Sequence, residues 1–295
     1  MQIRLARYSG FCFGVRRAIQ LAMDAVQKGE EVYSLGELIH NPQFVQELRA
    51  KGLRVASAAQ ELHNSVVIIR SHGISKEEYN VLVKQGNTII DATCPYVSKT
   101  HDLIKQANAE GYPVIILGDP CHPEVIGMKS YGNSDTVVVS PNEELAPVMA
   151  KRLCVISQTT QKIEHLINLV SSLLPKVMDL KVHNTICLAT GQRQIAGAEL
   201  AKESDIMVVI GGKHSSNTKM LARLCSEYCP TIHIETGAEL TPEIFVDKAR
   251  IGLCAGASTP EAQIVEVYNK IMKINGEECP ATGIQNIPLF KEESC

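Results

Sequence analysis

Three cysteines stand where packing gives a thiol no reason to be. Cys12 in SGFCFGVRRAI, Cys94 in DATCPYVSKTH and Cys187 in NTICLATGQRQ each follow a turn and open a helical pattern. They are spaced 82 residues (12 to 94) and 93 residues (94 to 187) apart. Cys94 follows the apolar run Thr88-Ile89-Ile90, and Pro95 behind it biases it toward an extended or turn conformation. Reduced thiols at such boundaries can pack, do redox chemistry or bind metal. A structural zinc site has four ligands, often paired as C-x2–4-C, and none of these three has a close partner. Three thiolates on a 4Fe–4S cluster would leave one iron without a protein ligand, the open position that marks a catalytic metal. On spacing alone these readings stay open. Cys225 and Cys229 have ligand-like spacing, but ARLCSEYC reads as a helix ending at Pro230, so buried packing is expected. The same expectation covers Cys121, Cys154, Cys254, Cys279 and Cys295.

The elements that must position these thiols alternate. Residues 15–28, VRRAIQLAMDAVQK, put Val15, Ala18, Ile19, Ala22 and Val26 on one helical face, with Gly29 to close it. Asn41-Pro42 caps a helix over QFVQELRAK that Gly52 ends. Ser75 and Glu78 form a capping box. STPE, 258–261, opens the last long helix with Pro260 in its first turn. Between them lie the strand-like runs 66–70, 114–118, 153–157, 207–211 and 251–256. Such alternation predicts parallel α/β sheets. After each cysteine come two more strand or turn ends with polar side chains: GELIHNPQ and IIRSHGIS, then ILGDPCHPE and VISQTTQ, then IGGKHSSNT and CAGASTPE. We read three similar α/β units with small, mostly parallel sheets, 1–94, 95–187 and 188–275, and a tail over 276–295. Ligands of open α/β sheets bind beyond the carboxyl ends of the strands. Three inward-facing units would set three thiols and six polar loops around one centre.

Composition limits the partners. The 295 residues are 45% hydrophobic and 21% charged, as in a globular protein. A formal charge of −3 offers nucleic acid no basic field. No apolar run approaches a membrane span, and the N-terminal MQIRLARYSGFCFGV lacks a signal-peptide core. We therefore expect a cytoplasmic protein with reduced thiols and neither a nucleic-acid nor a membrane partner.

At these residues the sequence resembles the 4-hydroxy-3-methylbut-2-enyl diphosphate reductase family (IspH/LytB). The matching segments are GFCFGVRRAI, GELIHNPQ, RSHGIS, DATCPYV, DPCHPEVIG, SQTT, TICLATGQRQ, GGKHSSNT and GAST, in family order over about residues 8–275. The resemblance implies three domains in pseudo-threefold arrangement around a central 4Fe–4S cluster, with Cys12, Cys94 and Cys187 as its ligands and the fourth iron open. Oxidation would release that iron and leave a 3Fe–4S form. The implied reaction is a reductive dehydroxylation. Two electrons and two protons remove the allylic hydroxyl as water and give isopentenyl and dimethylallyl diphosphate. A one-electron donor of the ferredoxin or flavodoxin type is implied too, since GGKHSSN is not a nicotinamide fingerprint.

The resemblance also assigns the loops. Glu124, which alone would read as a surface glutamate, becomes the proton donor for a poor leaving group. Thr159, otherwise a helix cap, orients Glu124 or a water near the hydroxyl. The diphosphate falls to His40, His72, His122, Ser215, Ser216, Asn217 and Ser258, with His122 beside the acid. Most are donors near helix starts, where free N–H groups favour anions. Lys213 could add charge, and His214 has no assigned role. Two other classes stand beside it: a non-catalytic binding module for a phosphorylated metabolite, which the serine- and histidine-bearing loops fit but the three cysteines and Glu124 do not, and a zinc hydrolase with three thiolates and a water.

Overall fold

Short apolar runs become strands, and within each sheet helices cross back to lay the next strand parallel. The computed structural model describes residues 1–141, 143, 150–277 and 281–290; Cys279 and Cys295 lie outside them. The elements run β1 (Gln2–Leu5), α1 (Phe13–Gln27), β2 (Val32–Leu35), α2 (Pro42–Ala50), β3 (Arg54–Ala56), β4 (Val66–Ile69), α3 (Lys76–Lys84), β5 (Thr88–Asp91) and α4 (Pro95–Ala109). They continue β6 (Val114–Leu117), α5 (Pro123–Ser130), β7 (Thr136–Val139), β8 (Arg152–Ser157), α6 (Ile163–Leu173), β9 (Asp179–His183) and α7 (Leu188–Lys202). The last are β10 (Ile206–Ile210), α8 (Ser216–Ser226), β11 (Thr231–Ile234), β12 (Arg250–Ala255) and α9 (Glu261–Ile274). The expected caps are present at Asn41, whose Oδ1 accepts from Phe44 N at 2.9 Å, and at Ser75 with Glu78. Two ends differ from expectation. Pro260 is the N-cap of α9 and not in its first turn, and α8 stops at Ser226, short of Cys229.

The strands form three four-stranded sheets, and every pair among the described residues is parallel. Their orders are β3-β2-β4-β5, β7-β6-β8-β9 and β11-β10-β12-β1. In each, the second strand along the chain swaps outside the first, and the fourth closes the far edge. The third sheet takes β1 as its fourth strand, with Ile3 opposite Ile251. The chain's first strand therefore sits with its last sheet and not in a unit starting at residue 1. That arrangement gives β12 a second neighbour where it would otherwise end the sheet as an open edge.

Packing divides the chain into two units. One comprises Met1–Phe13, His40–Phe44 and Leu188–Cys295, and holds the third sheet. Side chains alternate across it as strand geometry requires. Ile206, Val208 and Ile210 pack with Ile264, Val267 and Ile271 of α9. Met207 and Val209 pack with Leu200 of α7 and Leu221 of α8. The other unit, Gly14–Ile39 with Val45–Cys187, holds the first two sheets. There Val114 and Ile116 meet Ile104, Val125 and Met128, while Ile115 and Leu117 meet Leu166 and Leu173. Both faces of these parallel strands are buried, which is why they read as unbroken apolar runs.

Candidate active site

All three boundary cysteines occupy one topological position. Cys94 follows β5, Cys187 follows β9 and Cys12 follows β1, each after the fourth strand of a sheet. Each stands immediately before a helix of 15 residues: α1, α4 or α7. A helix N-terminus favours negative charge, so these are suitable places for a sulfur that must bind as an anion. All three thiols are partly exposed and outside any disulfide. Cys154 and Cys254 differ. Both are buried within strands; burial pushes the Cys154 thiol up to about 11, and a hydrogen bond with Cys225, together with burial, raises Cys254 well above its usual range. Cys225 is likewise buried. Cys121, expected to be buried, is exposed instead. It lies on a turn in which its N–H meets Asp119 Oδ1 at 2.9 Å, which holds it at the surface.

In the larger unit a chain of contacts links the candidates. Cys94 is the N-cap of α4, and its N–H donates to Ser71 O at 3.0 Å, beside His72. The rings of His72 and His122 meet edge to face, 5.7 Å between centroids. His122 caps α5: its Nδ1 accepts from Glu124 N at 3.2 Å, which leaves the ring proton on Nε2. Glu124 is 1% exposed. Its Oε1 accepts from Thr159 N at 2.7 Å and its Oε2 from Thr159 Oγ1 at 2.9 Å. The Thr159 carbonyl in turn accepts from Cys187 N at 3.0 Å. Burial pushes the Glu124 carboxyl up to about 7, against both Thr159 bonds, which favour the charged form. A carboxyl at that value can give up or take a proton near neutrality.

Several supports escaped the sequence reading. Arg17 reaches from α1 to Thr93 O and Asp91 O, each at 3.2 Å, and clamps the turn that presents Cys94. Thr185 joins the end of β8 to the turn before Cys187 through Ser157. Gln158, fully buried, accepts from Asp119 N and holds the loop ahead of His122. Arg17 and Gln158 fall inside the quoted motifs, but nothing in a linear motif says which turn an arginine reaches.

The smaller unit repeats the pattern. Cys12 N donates to Ala257 O at 3.0 Å, next to Ser258. Ser258 Oγ donates to His40 O at 3.2 Å. The His40 carbonyl lies where a Cβ on Gly212 would be, 2.4 Å away, so only glycine fits there. Three residues on, Ser215 caps α8 through Thr218 N, and Ser216 begins the helix. Asn217 is 7% exposed, and its Nδ2 donor has no hydrogen-bond partner among the described residues. An orphaned buried donor at a helix start is the feature an anion would satisfy. Arg193, also buried, holds the turn before Cys12 through Gly10 O at 2.6 Å. Lys213 does not point to this cluster: its ammonium pairs with Glu239 on the exposed side, and His214 is exposed. Among the described residues, no three His, Cys, Asp or Glu side chains are grouped to hold a single metal ion.

The family described as LytB protein matches residues 3–272. A Geobacter sulfurreducens protein named 4-hydroxy-3-methylbut-2-enyl diphosphate reductase is 45% identical over 281 residues, covering 94% of this chain and 99% of its own. A protein of the same name from Thermoanaerobacter sp. is 44% identical over 286 residues, with coverage of 94% and 99%. A solved structure of (E)-4-hydroxy-3-methyl-but-2-enyl diphosphate reductase, described as the terminal enzyme of the non-mevalonate pathway, is 41% identical. It covers 92% of this chain and 100% of its own, with a TM-score of 0.68. The Plasmodium falciparum reductase structure is 26% identical with a TM-score of 0.85, covering 98% of this chain and 91% of its own.

Proposed function

This chain belongs to the LytB protein family, and on that premise we propose how its residues carry out the family's reaction. The chain is a reductase that removes the hydroxyl of 4-hydroxy-3-methylbut-2-enyl diphosphate and yields isopentenyl and dimethylallyl diphosphate. The family depends on iron and sulfur. We assign Cys12, Cys94 and Cys187 as ligands of a 4Fe–4S cluster whose fourth iron has no protein ligand. The donor set fits: each thiol precedes a long helix and is partly exposed, unlike the buried Cys154, Cys225 and Cys254. The thiolates of a cluster bind different irons, so they stand farther apart than the ligands of one ion. When bound, the cluster supplies electrons singly and a Lewis-acidic iron for the hydroxyl oxygen.

The chain's own residues do the rest. Glu124 holds a proton near neutrality and delivers it to the departing oxygen, while Thr159 fixes both carboxyl oxygens. His122 and His72 donate toward the substrate beside it. His40, Ser215, Ser216, Asn217 and Ser258 take the diphosphate, for which the buried, orphaned Nδ2 of Asn217 is suited. The electron donor is a ferredoxin or flavodoxin, and the reaction runs in the cytoplasm. Among the described residues no helix is long and apolar enough to cross a membrane.

The observation that supports this reading best is the run of contacts from Cys187 through Thr159 to a buried Glu124. It ties a proton donor to the turn that presents a thiol, which neither a phosphometabolite receptor nor a diphosphate anchor requires. The test is anaerobic purification with iron and sulfide analysis, followed by turnover of the hydroxylated diphosphate with a reduced donor. Iron and sulfide in the protein together with both diphosphate products support the reading. Stoichiometric zinc, or substrate binding without turnover, overturns it.

A further inference from the structure

A groove of about 240 Å³ lies in the larger unit, between the first turns of α4 and the end of β9. Tyr96 and Lys99 form one wall; Val182, His183, Asn184 and Ile186 form the other. Both walls run into cysteines. Tyr96 is two residues after Cys94, and Ile186 is bonded directly to Cys187. Tyr96 and Val182 are 43% and 41% exposed, so apolar surface faces solvent here. The rim carries the exposed Lys99; burial, then Lys181 and Lys99, hold the His183 imidazole below its usual range, with Glu110 opposing them. Glu110 pairs with Lys181 further along β9, but no carboxylate lines the groove itself among the described residues. Thr185, which also lines the groove, is committed to Ser157.

We propose that this groove is the docking surface for an acidic one-electron carrier protein, which delivers its electrons toward Cys94 and Cys187. The proposal rests on the reading that those two thiols hold the cluster. Each encounter transfers one electron and releases the oxidised carrier. Two encounters supply the two electrons that, with two protons, convert the C–OH bond to C–H and water. Brief redox contacts are small and steered by complementary charge, and an exposed lysine beside an open aromatic and aliphatic floor has that form. The walls being one and two residues from two ligands makes the path short.

The test compares two reductants on one preparation: reduced acidic 2Fe–2S ferredoxin, and a small dithionite-reduced viologen that needs no docking surface. The variants are Lys99→Glu and the milder Lys99→Ala. For Lys99→Glu we expect the apparent KM for ferredoxin to rise roughly tenfold or more and to depend less on ionic strength. Lys99→Ala should shift it less in the same direction. Viologen-supported rate and iron content should stay within about twofold of wild type, as for other exposed substitutions away from the machinery. An unchanged KM for ferredoxin overturns the proposal. So does an equal loss with both reductants, because Lys99 would then act on the fold. If the wild-type protein lacks both iron and viologen-supported turnover, the cluster assignment fails first, and that result is distinct from either.

Discussion

A carboxyl that titrates near 7 is useful to a reaction only if it gives its proton to something, and Glu124 is buried with one neighbour that holds both its oxygens. As the proposed proton donor it must be in its protonated form. Activity should therefore fall as pH rises through about 7, and that alkaline limb should be absent in Glu124→Gln. The glutamine amide can still pair with Thr159, because the hydroxyl can reverse its role. Turnover should drop by about 10²–10⁴, the range for losing a positioned acid, with iron content and substrate affinity kept. Anaerobic steady-state rates across pH, on preparations matched for iron, measure both effects; near-wild-type turnover would remove Glu124 from the mechanism. Asn217 is the proposed counterpart for binding. Truncation to alanine removes the orphaned Nδ2 donor, and a bond to a charged oxygen is worth about 1.5–3 kcal/mol. Substrate should bind about tenfold more weakly or worse while the cluster remains, and equal affinity in titration would discard the role. The two residues were not equally legible. The HPE and HSSN motifs drew attention to both, but the burial that raises Glu124 comes from three-dimensional packing that no spacing encodes.

At the scale of elements, the three cysteines are made equivalent by what precedes and follows them: the fourth strand of a sheet, then a 15-residue helix. Serine at Cys12, Cys94 or Cys187 keeps the turn and removes the thiolate. Each such variant should lose most of its iron and its turnover, whereas Cys225→Ser should keep both. Iron and sulfide analysis against protein concentration decides, and a cluster retained in Cys12→Ser but lost in Cys225→Ser would reverse the assignment. The helices and central strands were readable because caps and apolar runs are local signals; Ser75 with Glu78 formed as expected, and the run read at 207–211 is the strand Ile206–Ile210. The partner of β1 was not readable. Strand pairing in a parallel sheet is non-local, and QIRL carries nothing that distinguishes pairing with residues near 32 from pairing with Arg250–Leu253. The same limit hid Arg17 and Arg193, whose value lies in the distant turns that they hold.

For the whole molecule, stability against pH sums over every group whose protonation changes on folding, and two buried groups here act in opposite directions. Glu124 is raised from 4.5 to about 7, so between those values the folded chain holds a proton that the unfolded chain has lost. Its contribution is complete below about 4.5 and vanishes as pH rises through 7. His101 is lowered from 6.5 to about 4, mainly by burial, with Lys105 adding to it. Between those values the unfolded chain is protonated and the folded chain is not. Its contribution is complete above 6.5 and is lost as pH falls through 4. Each shift is on the order of 3 kcal/mol at about 1.4 kcal/mol per unit, a sizeable part of a typical folding free energy of about 5–15 kcal/mol. In the iron-free protein the two should largely offset between pH 4.5 and 6.5, leaving stability nearly level. Glu124→Gln removes one side of the balance, so stability should fall as the solution is made acid from pH 6.5. His101→Phe removes the other, so stability should rise instead. Phenylalanine suits that site, since His101 stacks on Tyr131 at 4.3 Å and its Nε2 has no hydrogen-bond partner among the described residues. Urea unfolding at half-unit pH steps on the three iron-free proteins reads the slopes directly. Parallel curves for both variants would show that neither group is buried in the protonation state assigned to it.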